Sequence, residues 1–307
     1  MRVLVLGGAA AGEAAVSTAA GLPGVAEIVI ADPDLGTAER VADRIADRRR
    51  SIRAHGVELT DRDHLLGALR AADVVLDTVG PYRECGLTVL RVAIETGTHY
   101  LDACDEWEPT LRRGELEVEA RAGGVCAIAG MGASLGIGTL LALTAARELG
   151  CVRDVFVAST GTHALRTGRI GGTVLSRRDG RLVTSSMRGV QASPASVVFG
   201  SSTTSPPFFG VATGANPERA EVVLARLSVP LEDSLLTIDT ATATGISLAL
   251  GLYQLLDDAV RRPGVHLASA IIDPELFFRD LERVLRLVTT CASTRIERDC
   301  GARIRRH

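Results

Sequence analysis

The 307-residue chain contains no lysine, so all 34 of its Lys-plus-Arg positions are arginine. Without a lysine amine, the protein cannot form a Schiff base with a substrate, use a phosphate-loop lysine or employ lysine as a general base. The Tyr-x-x-x-Lys pair of short-chain reductases is excluded for the same reason. Proton transfer must therefore depend on His, Tyr, Cys, Asp, Glu or water.

The chain also lacks the sequence features of exported, membrane-spanning and metal-binding proteins. Met1 and Arg2 lead directly into an apolar strand pattern, and the longest apolar run, around residues 135–146, is shorter than the roughly 20 residues of a membrane span. No C-x-x-C pair and no histidine at ligand spacing accompany the cysteines. We expect a cytoplasmic protein with free thiols, no metal site and no membrane partner.

A formal net charge of -3, without an arginine stripe interleaved with aromatics, argues against nucleic acid as a partner. Apolar residues make up 46% of the chain and charged residues 23%, which is enough apolar material for a packed core. Because domains usually contain about 100 to 200 residues, the length predicts two of them. A small-molecule substrate is the expected partner.

Residues 1–131 alternate short apolar strands with amphipathic helices. This alternation predicts an α/β fold with a Rossmann domain, a doubly wound parallel sheet covered by helices on both faces. The strands are predicted at residues 3–6, 27–31, 57–59, 73–77, 99–101 and 125–128, and the helices at 13–20, 37–50, 61–71, 86–96 and 115–122.

The pattern changes after Gly130. A helix at 135–149 is followed by alternating strands rich in Ser, Thr and Gly, and then by helices at 248–260 and 274–288. We therefore expect a second, α+β substrate domain over residues 132–288 and a tail over 289–307. The apolar helix at 135–149 is a candidate interface for a homodimer.

The segment LGGAAAG, residues 6–12, connects the first predicted strand to the first predicted helix. In a dinucleotide fingerprint the first glycine makes a tight turn, the second lets the backbone approach the pyrophosphate, and the third lets the helix pack closely on the strand. Gly7, Ala9 and Gly12 occupy these places, with Gly8 and Ala10 beside them. Because Ala9 puts a methyl group at the closest approach, the alternative is a Rossmann-like domain without a cofactor.

Two further segments support a cofactor site. Asp32 ends the second predicted strand about 20 residues on, where a carboxylate binds the ribose hydroxyls of NAD and repels the 2′-phosphate of NADP, so NAD is favoured over NADP. DTVGPY stands at the carboxyl end of the fourth strand. Its backbone is predicted to line the cofactor and Tyr82 to point toward the substrate, although a plain turn is the alternative. The cofactor residues predicted there are Thr78, Val79, Gly80 and Pro81.

With these features, residues 1–150 resemble the saccharopine dehydrogenase-like family. The shared segments are the glycine-rich turn, Asp32, VGPY at 79–82, GLTVLRVAIETGTHYLDACDE at 86–106 and GMGASLGIGTLLA at 130–142. GTVLS at 172–176 and GVHLASAIIDPELFF at 264–278 are similar, more weakly, to the family's second domain and closing helix.

The resemblance implies a Rossmann domain that carries NAD(P) and an inserted α+β domain that contributes the substrate pocket. It also implies an oxidoreductase that transfers hydride to an imine, or from a C–N bond, of an amino-acid-like substrate. A carbonyl reductase of a biosynthetic intermediate and a non-catalytic cofactor-binding homologue remain the alternatives.

Imine reduction needs a hydride donor, a group that stabilises the charged nitrogen, and cationic anchors for substrate carboxylates. Asp102 is the first candidate to stabilise an iminium, with Tyr82 at the same sheet edge, and His163 is a candidate general acid. Asp105 can equally belong to an exposed helix N-terminus, and His163 can be purely structural. The candidate substrate ligands are Cys104, Asp105, Arg166, Arg169 and Thr173.

Overall fold

The computed structural model describes residues 1–45, 51–105, 107–147, 152–159, 169–170, 173–178, 181–186, 195–197, 208–216, 219–228, 240–258, 260–288 and 295–300. The chain divides into two compact units. The first comprises Met1–Ala133 and Ile238–Asp273, and the second Ser134–Thr237 and Pro274–His307.

Seven parallel strands form the sheet of the first unit. They are β1 (Arg2–Leu6), β2 (Glu27–Asp32), β3 (Ser51–Gly56), β4 (Val74–Asp77), β5 (His99–Asp102), β6 (Cys126–Ala129) and β14 (Gly264–Leu267). Their order is β14-β6-β5-β4-β1-β2-β3. Because the order reverses between β1 and β4, a crevice for ligands opens at the carboxyl ends of these two strands.

Helices cover this sheet. Consecutive residues of β1 and β4 are buried, which is the pattern of strands covered on both faces. The helices are α1 (Ala10–Ala20), α2 (Leu35–Ile45), α3 (Arg62–Arg70), α4 (Tyr82–Thr96), α5 (Trp107–Arg112), α6 (Glu117–Ala122), α8 (Thr240–Leu255) and α9 (Ala268–Ile271), with a 3₁₀ turn at Arg113–Leu116.

Helix α8 packs on α1 and belongs to the first unit, although it comes more than 200 residues later in the sequence. The contact is close because both helices carry small residues: a Cβ on Gly245 would come 2.3 Å from the Ala11 carbonyl oxygen. The sequence predicted this helix at 248–260, but it begins at Thr240. Thr and Gly form helices poorly, and burial of the helix from Ala243 onward overrides that preference.

The third strand also differs from its prediction. It spans Ser51–Gly56, not 57–59, and lies at the edge of the sheet. An edge strand has one neighbour and one partly solvated face, so its sequence alternates polar and apolar residues and lacks the continuous apolar run of a central strand. Val57, which suggested the strand, is buried just beyond its end, where its N–H donates to the Asp32 carbonyl.

The second unit is α+β. Its strands are β7 (Val152–Ser159), β8 (Arg169–Ile170), β9 (Thr173–Arg178), β10 (Arg181–Ser186), β11 (Ala195–Val197), β12 (Phe208–Asn216), β13 (Arg219–Ser228) and β15 (Arg295–Cys300). They form an antiparallel sheet in the order β11-β10-β9-β8-β7-β12-β13-β15. Helix α7 (Gly138–Arg147) packs on β7, β12 and β13, and α10 (Pro274–Val288) packs on α7. The predicted fold class, a Rossmann α/β domain with a second α+β domain, is confirmed.

Long-range pairings set unit limits that differ from the predicted ones. Residues 238–273, expected in the second domain, supply α8 and β14 to the first unit, and part of the expected tail forms β15 against β13. The apolar side chains from Leu135 to Ala142 are buried within the chain, and a homodimer interface on the helix at 135–149 stays a prediction. Among the described helices, none is long and apolar enough to cross a bilayer.

Candidate active site

The glycine-rich turn lies at the carboxyl edge of the first sheet, between β1 and α1. Gly7 has a φ of 94°, a conformation that favours glycine, and its N–H donates to the Ala31 carbonyl over 2.8 Å. A Cβ on Gly12 would come 1.8 Å from the Gly7 carbonyl oxygen, so only glycine allows α1 to begin this close to the turn. Gly7 and Gly12 therefore do what the first and third glycines of the fingerprint require.

Ala9 replaces the second glycine without straining the turn. Its φ of -68° and ψ of 178° are ordinary extended values for any residue, and it is exposed. Ala9 is also the N-cap of α1 and has no side-chain oxygen, so the first N–H groups of the helix have no side-chain cap. Such a helix N-terminus attracts phosphate through its N–H groups and its dipole. The exposed Ala9 and Ala10 and the glycines beside them thus fit a pyrophosphate.

Asp32 is held at the end of β2 by two backbone amides. Its Oδ2 accepts from the Gly8 N–H over 2.7 Å, and its Oδ1 accepts from the Asp34 N–H over 2.9 Å. The Thr37 side chain lies against Gly8, and Arg40 donates to the Thr37 hydroxyl over 2.6 Å. The Arg40 guanidinium is also 3.7 Å from the Asp34 carboxylate. A fixed carboxylate and an already paired guanidinium therefore stand beside the turn.

The loop after β4 touches the same turn. Thr78 donates its hydroxyl to the Leu6 carbonyl over 2.7 Å, and a Cβ on Gly7 would come 2.6 Å from that hydroxyl oxygen. Val79 is partly buried, while Gly80 and Pro81, joined by a cis peptide bond, are exposed. The structure thus brings this predicted cofactor loop together with the glycine-rich turn.

Beneath the loops, Asp77 and Asp102 lie side by side at the ends of β4 and β5, where they are register partners. Both side chains are completely buried. Asp77 accepts from the Val79 N–H over 3.0 Å and from the Tyr100 hydroxyl over 2.9 Å. Burial, reinforced by the Asp102 carboxylate, raises the pKa of Asp77 to about 7.

Asp102 connects the loops that follow β5 and β6. Its Oδ1 accepts from the N–H groups of Cys104 and Gly130, both over 2.9 Å, and its backbone carbonyl accepts from the Met131 N–H over 2.8 Å. Its Oδ2 forms an ion pair with the Arg113 Nε. The side chains of both partners have no solvent exposure, so in this structure Asp102 cannot touch a substrate. Its catalytic role stays a prediction, which this burial does not support.

Arg113 completes this cluster from the 3₁₀ turn. It donates to the Pro109 carbonyl over 2.6 Å, and its guanidinium carbon lies 5.5 Å from the centre of the Tyr82 ring. Burial is the largest single influence and lowers the pKa of Arg113, but Asp102, Tyr100 and Cys104 together outweigh it and raise that pKa above its ordinary value. Sequence reasoning missed Arg113, because an arginine in a short helical segment carries no local signal that separates a buried residue from a solvated one.

Tyr82 has a different orientation from the expected one. Its hydroxyl donates to the Asp77 backbone carbonyl over 2.9 Å, so it points into the protein and not toward a substrate. Burial, followed by the charge of Asp77, raises the pKa of Tyr82 well above the usual tyrosine value. The predicted substrate contact therefore requires a rotation of this side chain.

The two remaining predicted residues of the β5 loop differ in accessibility. Cys104 is completely buried, whereas Asp105 is partly exposed. The Asp105 carboxylate lies against Gly132, in the loop after β6. Of the described residues of this loop, Asp105 is therefore the carboxylate that a ligand can approach.

The residues predicted in the second unit are less fully described. Arg169 lies in β8 and Thr173 begins β9, and in this antiparallel pair Ile170 is opposite Thr173. His163 and Arg166 lie outside the described residues.

Comparison with known proteins identifies the first unit. Residues 3–128 match the family described as "Saccharopine dehydrogenase NADP binding domain". This region is a saccharopine dehydrogenase NADP-binding domain. The match covers β1 to β6 and includes the glycine-rich turn, Asp32, the β4 loop and the Asp77–Asp102 pair. Residues 3–128 therefore form an NAD(P)-binding domain of the saccharopine dehydrogenase type, as the sequence predicted, and NAD(P) is the cofactor of this domain.

A solved structure extends the likeness beyond this domain. Apo saccharopine dehydrogenase (L-Glu forming) from Saccharomyces cerevisiae is 13% identical, covers 98% of this chain and 100% of its own, and superposes with a TM-score of 0.60. GenD2 from gentamicin A biosynthesis, in complex with NAD, is also 13% identical, covers 96% of both chains and has a TM-score of 0.49. At this identity, the yeast enzyme shows that the chain shares the fold of saccharopine dehydrogenase.

Proposed function

We propose that this saccharopine dehydrogenase-like protein reduces an imine, or oxidises a C–N bond, of an amino-acid-like substrate. One observation carries the proposal: Asp105, a partly exposed carboxylate, lies in the loop after β5, at the same carboxyl edge of the sheet as the glycine-rich turn. When bound, the nicotinamide supplies or accepts the hydride. The protein's part is to hold the reacting carbon beside it and to stabilise the charge that develops on the neighbouring atom.

The residue types at this edge favour nitrogen over oxygen chemistry. An iminium carries positive charge and is stabilised by a carboxylate, whereas a carbonyl under reduction develops negative charge and needs a hydrogen-bond donor. Of the described side chains, Asp105 provides the acceptor, while the Tyr82 hydroxyl is donated to a backbone carbonyl and the Cys104 thiol is buried. We therefore assign the role of stabilising the substrate nitrogen to Asp105.

The geometry of the turn and of Asp32 supports a proposal for the phosphate and ribose contacts. We assign the pyrophosphate to the turn at Gly7, Gly8, Ala9, Ala10 and Gly12, whose helix N-terminus would hold it, and the nicotinamide half to the β4 loop. Asp32, fixed by two amides, binds the ribose hydroxyls and disfavours a 2′-phosphate, so we propose NAD as the preferred cofactor. In the second unit, His163, Arg166, Arg169 and Thr173 stay candidates for contacts with the substrate.

An amine-dependence assay tests the reaction type. NADH oxidation is followed with a panel of 2-oxo acids and aldehydes, each with and without an amine partner. We expect turnover only when both are present, and Asp105→Asn to lower kcat by about 100-fold while leaving the Kd for NADH unchanged. The exposed Glu119→Gln serves as a control. Reduction of a carbonyl compound without amine would instead support the carbonyl reductase.

A further inference from the structure

Asp77 forms hydrogen bonds with several segments at the carboxyl edge of the first sheet, and no motif in the sequence indicates this. Its carboxylate holds the Val79 N–H of the β4 loop and the Tyr100 hydroxyl of β5. Its backbone carbonyl accepts from the Ala103 N–H, over 3.0 Å, and from the Tyr82 hydroxyl at the start of α4. Movement of this one residue would therefore disturb the β4 loop, the β5 loop and the first turn of α4 together.

Asp102 extends these connections to the loop after β6. It pairs in register with Asp77 and accepts from the Gly130 and Met131 N–H groups. The loops that follow β4, β5 and β6 thus rest on two adjacent, completely buried aspartates. These loops line the edge where the glycine-rich turn and the β4 loop meet.

The charges of this cluster do not balance. Two carboxylates, Asp77 and Asp102, are buried with one guanidinium, Arg113, which is paired to Asp102. The remaining titratable groups around Asp77 are neutral when protonated: Tyr82 and Cys85 on α4, Tyr100 on β5, and Cys104 after β5. Burial raises the pKa values of Tyr82, Tyr100 and Cys85, so these groups keep their protons near neutrality. Among the residues that the structure describes, a second negative charge in the cluster, on Asp77, therefore has no cation of its own.

We propose that Asp77 is a positioning residue for the cofactor, and that the protein binds NAD(H) more tightly when the Asp77 carboxyl carries a proton. A bound pyrophosphate would bring negative charge to the turn at Gly7. Thr78, the residue after Asp77, contacts this turn directly. An ionised Asp77 and the bound cofactor disfavour each other, because like charges near a low-dielectric interior repel. By linkage, cofactor binding then favours uptake of a proton by Asp77.

The expected direction follows from the pKa of Asp77, which is about 7 in the protein without cofactor. Below that pH the carboxyl is neutral and cofactor affinity is at its highest, and affinity falls as the pH rises through 7. The loss is on the order of tenfold between pH 6 and pH 8.5, the size expected for two charges within about 10 Å at an effective dielectric constant of about 20. The inference rests on cofactor binding and is independent of the substrate.

The test is a fluorescence titration of the full chain with NADH between pH 6 and pH 8.5. NADH is chosen over NADPH because the 2′-phosphate itself titrates in this range. Asp77→Asn, which keeps an acceptor for Val79 and can donate to Tyr100, imitates the protonated residue, so its Kd should stay low and flat with pH. The control Asp73→Asn changes the residue just before β4, at the other end of that strand, and should keep the wild-type slope.

A calorimetric measurement makes the test independent of any variant. Wild-type protein titrated with NADH at pH 7, in buffers of different ionisation enthalpy, should take up a fraction of a proton for each NADH bound. A wild-type Kd that does not change with pH, absence of proton uptake, or an Asp77→Asn slope equal to that of wild type would each overturn the inference while leaving cofactor binding intact. Failure of the wild type to bind NADH at any pH would overturn the cofactor assignment and the inference with it.

Discussion

Asp102 and Arg113 form an ion pair in which neither side chain has any solvent exposure. A buried pair of this kind adds little net stability by itself, but removal of one partner leaves an uncompensated charge in the interior. We therefore expect Arg113→Met to lower the free energy of unfolding by about 3–5 kcal/mol. Urea denaturation followed by circular dichroism measures this loss. The double variant Asp102→Asn with Arg113→Met should recover part of it, and a double variant no more stable than Arg113→Met would contradict the assignment.

The pKa of Asp77 predicts how stability changes with pH. Because the carboxyl has a pKa of about 7 in the folded protein and 3.8 when unfolded, the folded state binds the proton more tightly. The stability that the protonated Asp77 carboxyl contributes is complete below about pH 4 and is lost as the pH rises through 7. Asp77→Asn cannot ionise, so it should match wild type at low pH and be more stable by about 1–3 kcal/mol at pH 8. Thermal unfolding at pH 5 and pH 8 checks this, and a difference independent of pH would contradict it.

Gly12 is the most sterically demanding position of the turn. With a Cβ, α1 would have to move away from Gly7, so Gly12→Ala should weaken NADH binding by more than tenfold and lower the melting temperature. Gly67→Ala is a matched control, because nothing lies within 4 Å of a Cβ at this helical position. There the substitution should leave NADH binding unchanged and stabilise the protein by about 0.5–1 kcal/mol. Equal NADH affinity of both variants would show that the turn does not bind the cofactor.

Arg40 offers a route to altered cofactor preference. The Asp34 carboxylate and the Thr37 hydroxyl hold its guanidinium beside the ribose end of the site. Asp34→Ala should free Arg40 for a 2′-phosphate and raise NADPH affinity about fivefold, with little change for NADH. Glu39→Ala, an exposed acid on the same helix, controls for the loss of charge alone. Equal gains in both variants would mean that Arg40 does not reach the phosphate.

The architecture of the first unit can be predicted from the amino-acid sequence, and the same sequence indicates which residues are candidates to bind the cofactor. The strand predicted at residues 3–6 is indicated by a continuous apolar run, because a central parallel strand is buried on both faces. The tight turn requires glycine at particular positions, and Asp32 stands at a fixed distance from it along the chain. The candidate cofactor site can therefore be predicted from the spacing of these residues. The bounds of α10, Pro274–Val288, agree with the predicted helix at 274–288. They could be predicted because the amphipathic pattern that defines this helix lies entirely within its own residues.

Which of the candidate groups are exposed depends on tertiary contacts that the sequence does not reveal. Asp102 and Asp105 are three residues apart and chemically alike, yet one is completely buried against Arg113 and the other is partly exposed. Their surroundings come from the loops after β4 and β6 and from the 3₁₀ turn, none of which is adjacent in sequence. The pairing of β14 with β6 and the contact of α8 with α1 are equally non-local. Burial, and with it the pKa and role of a carboxyl, depends on what the rest of the chain packs around it.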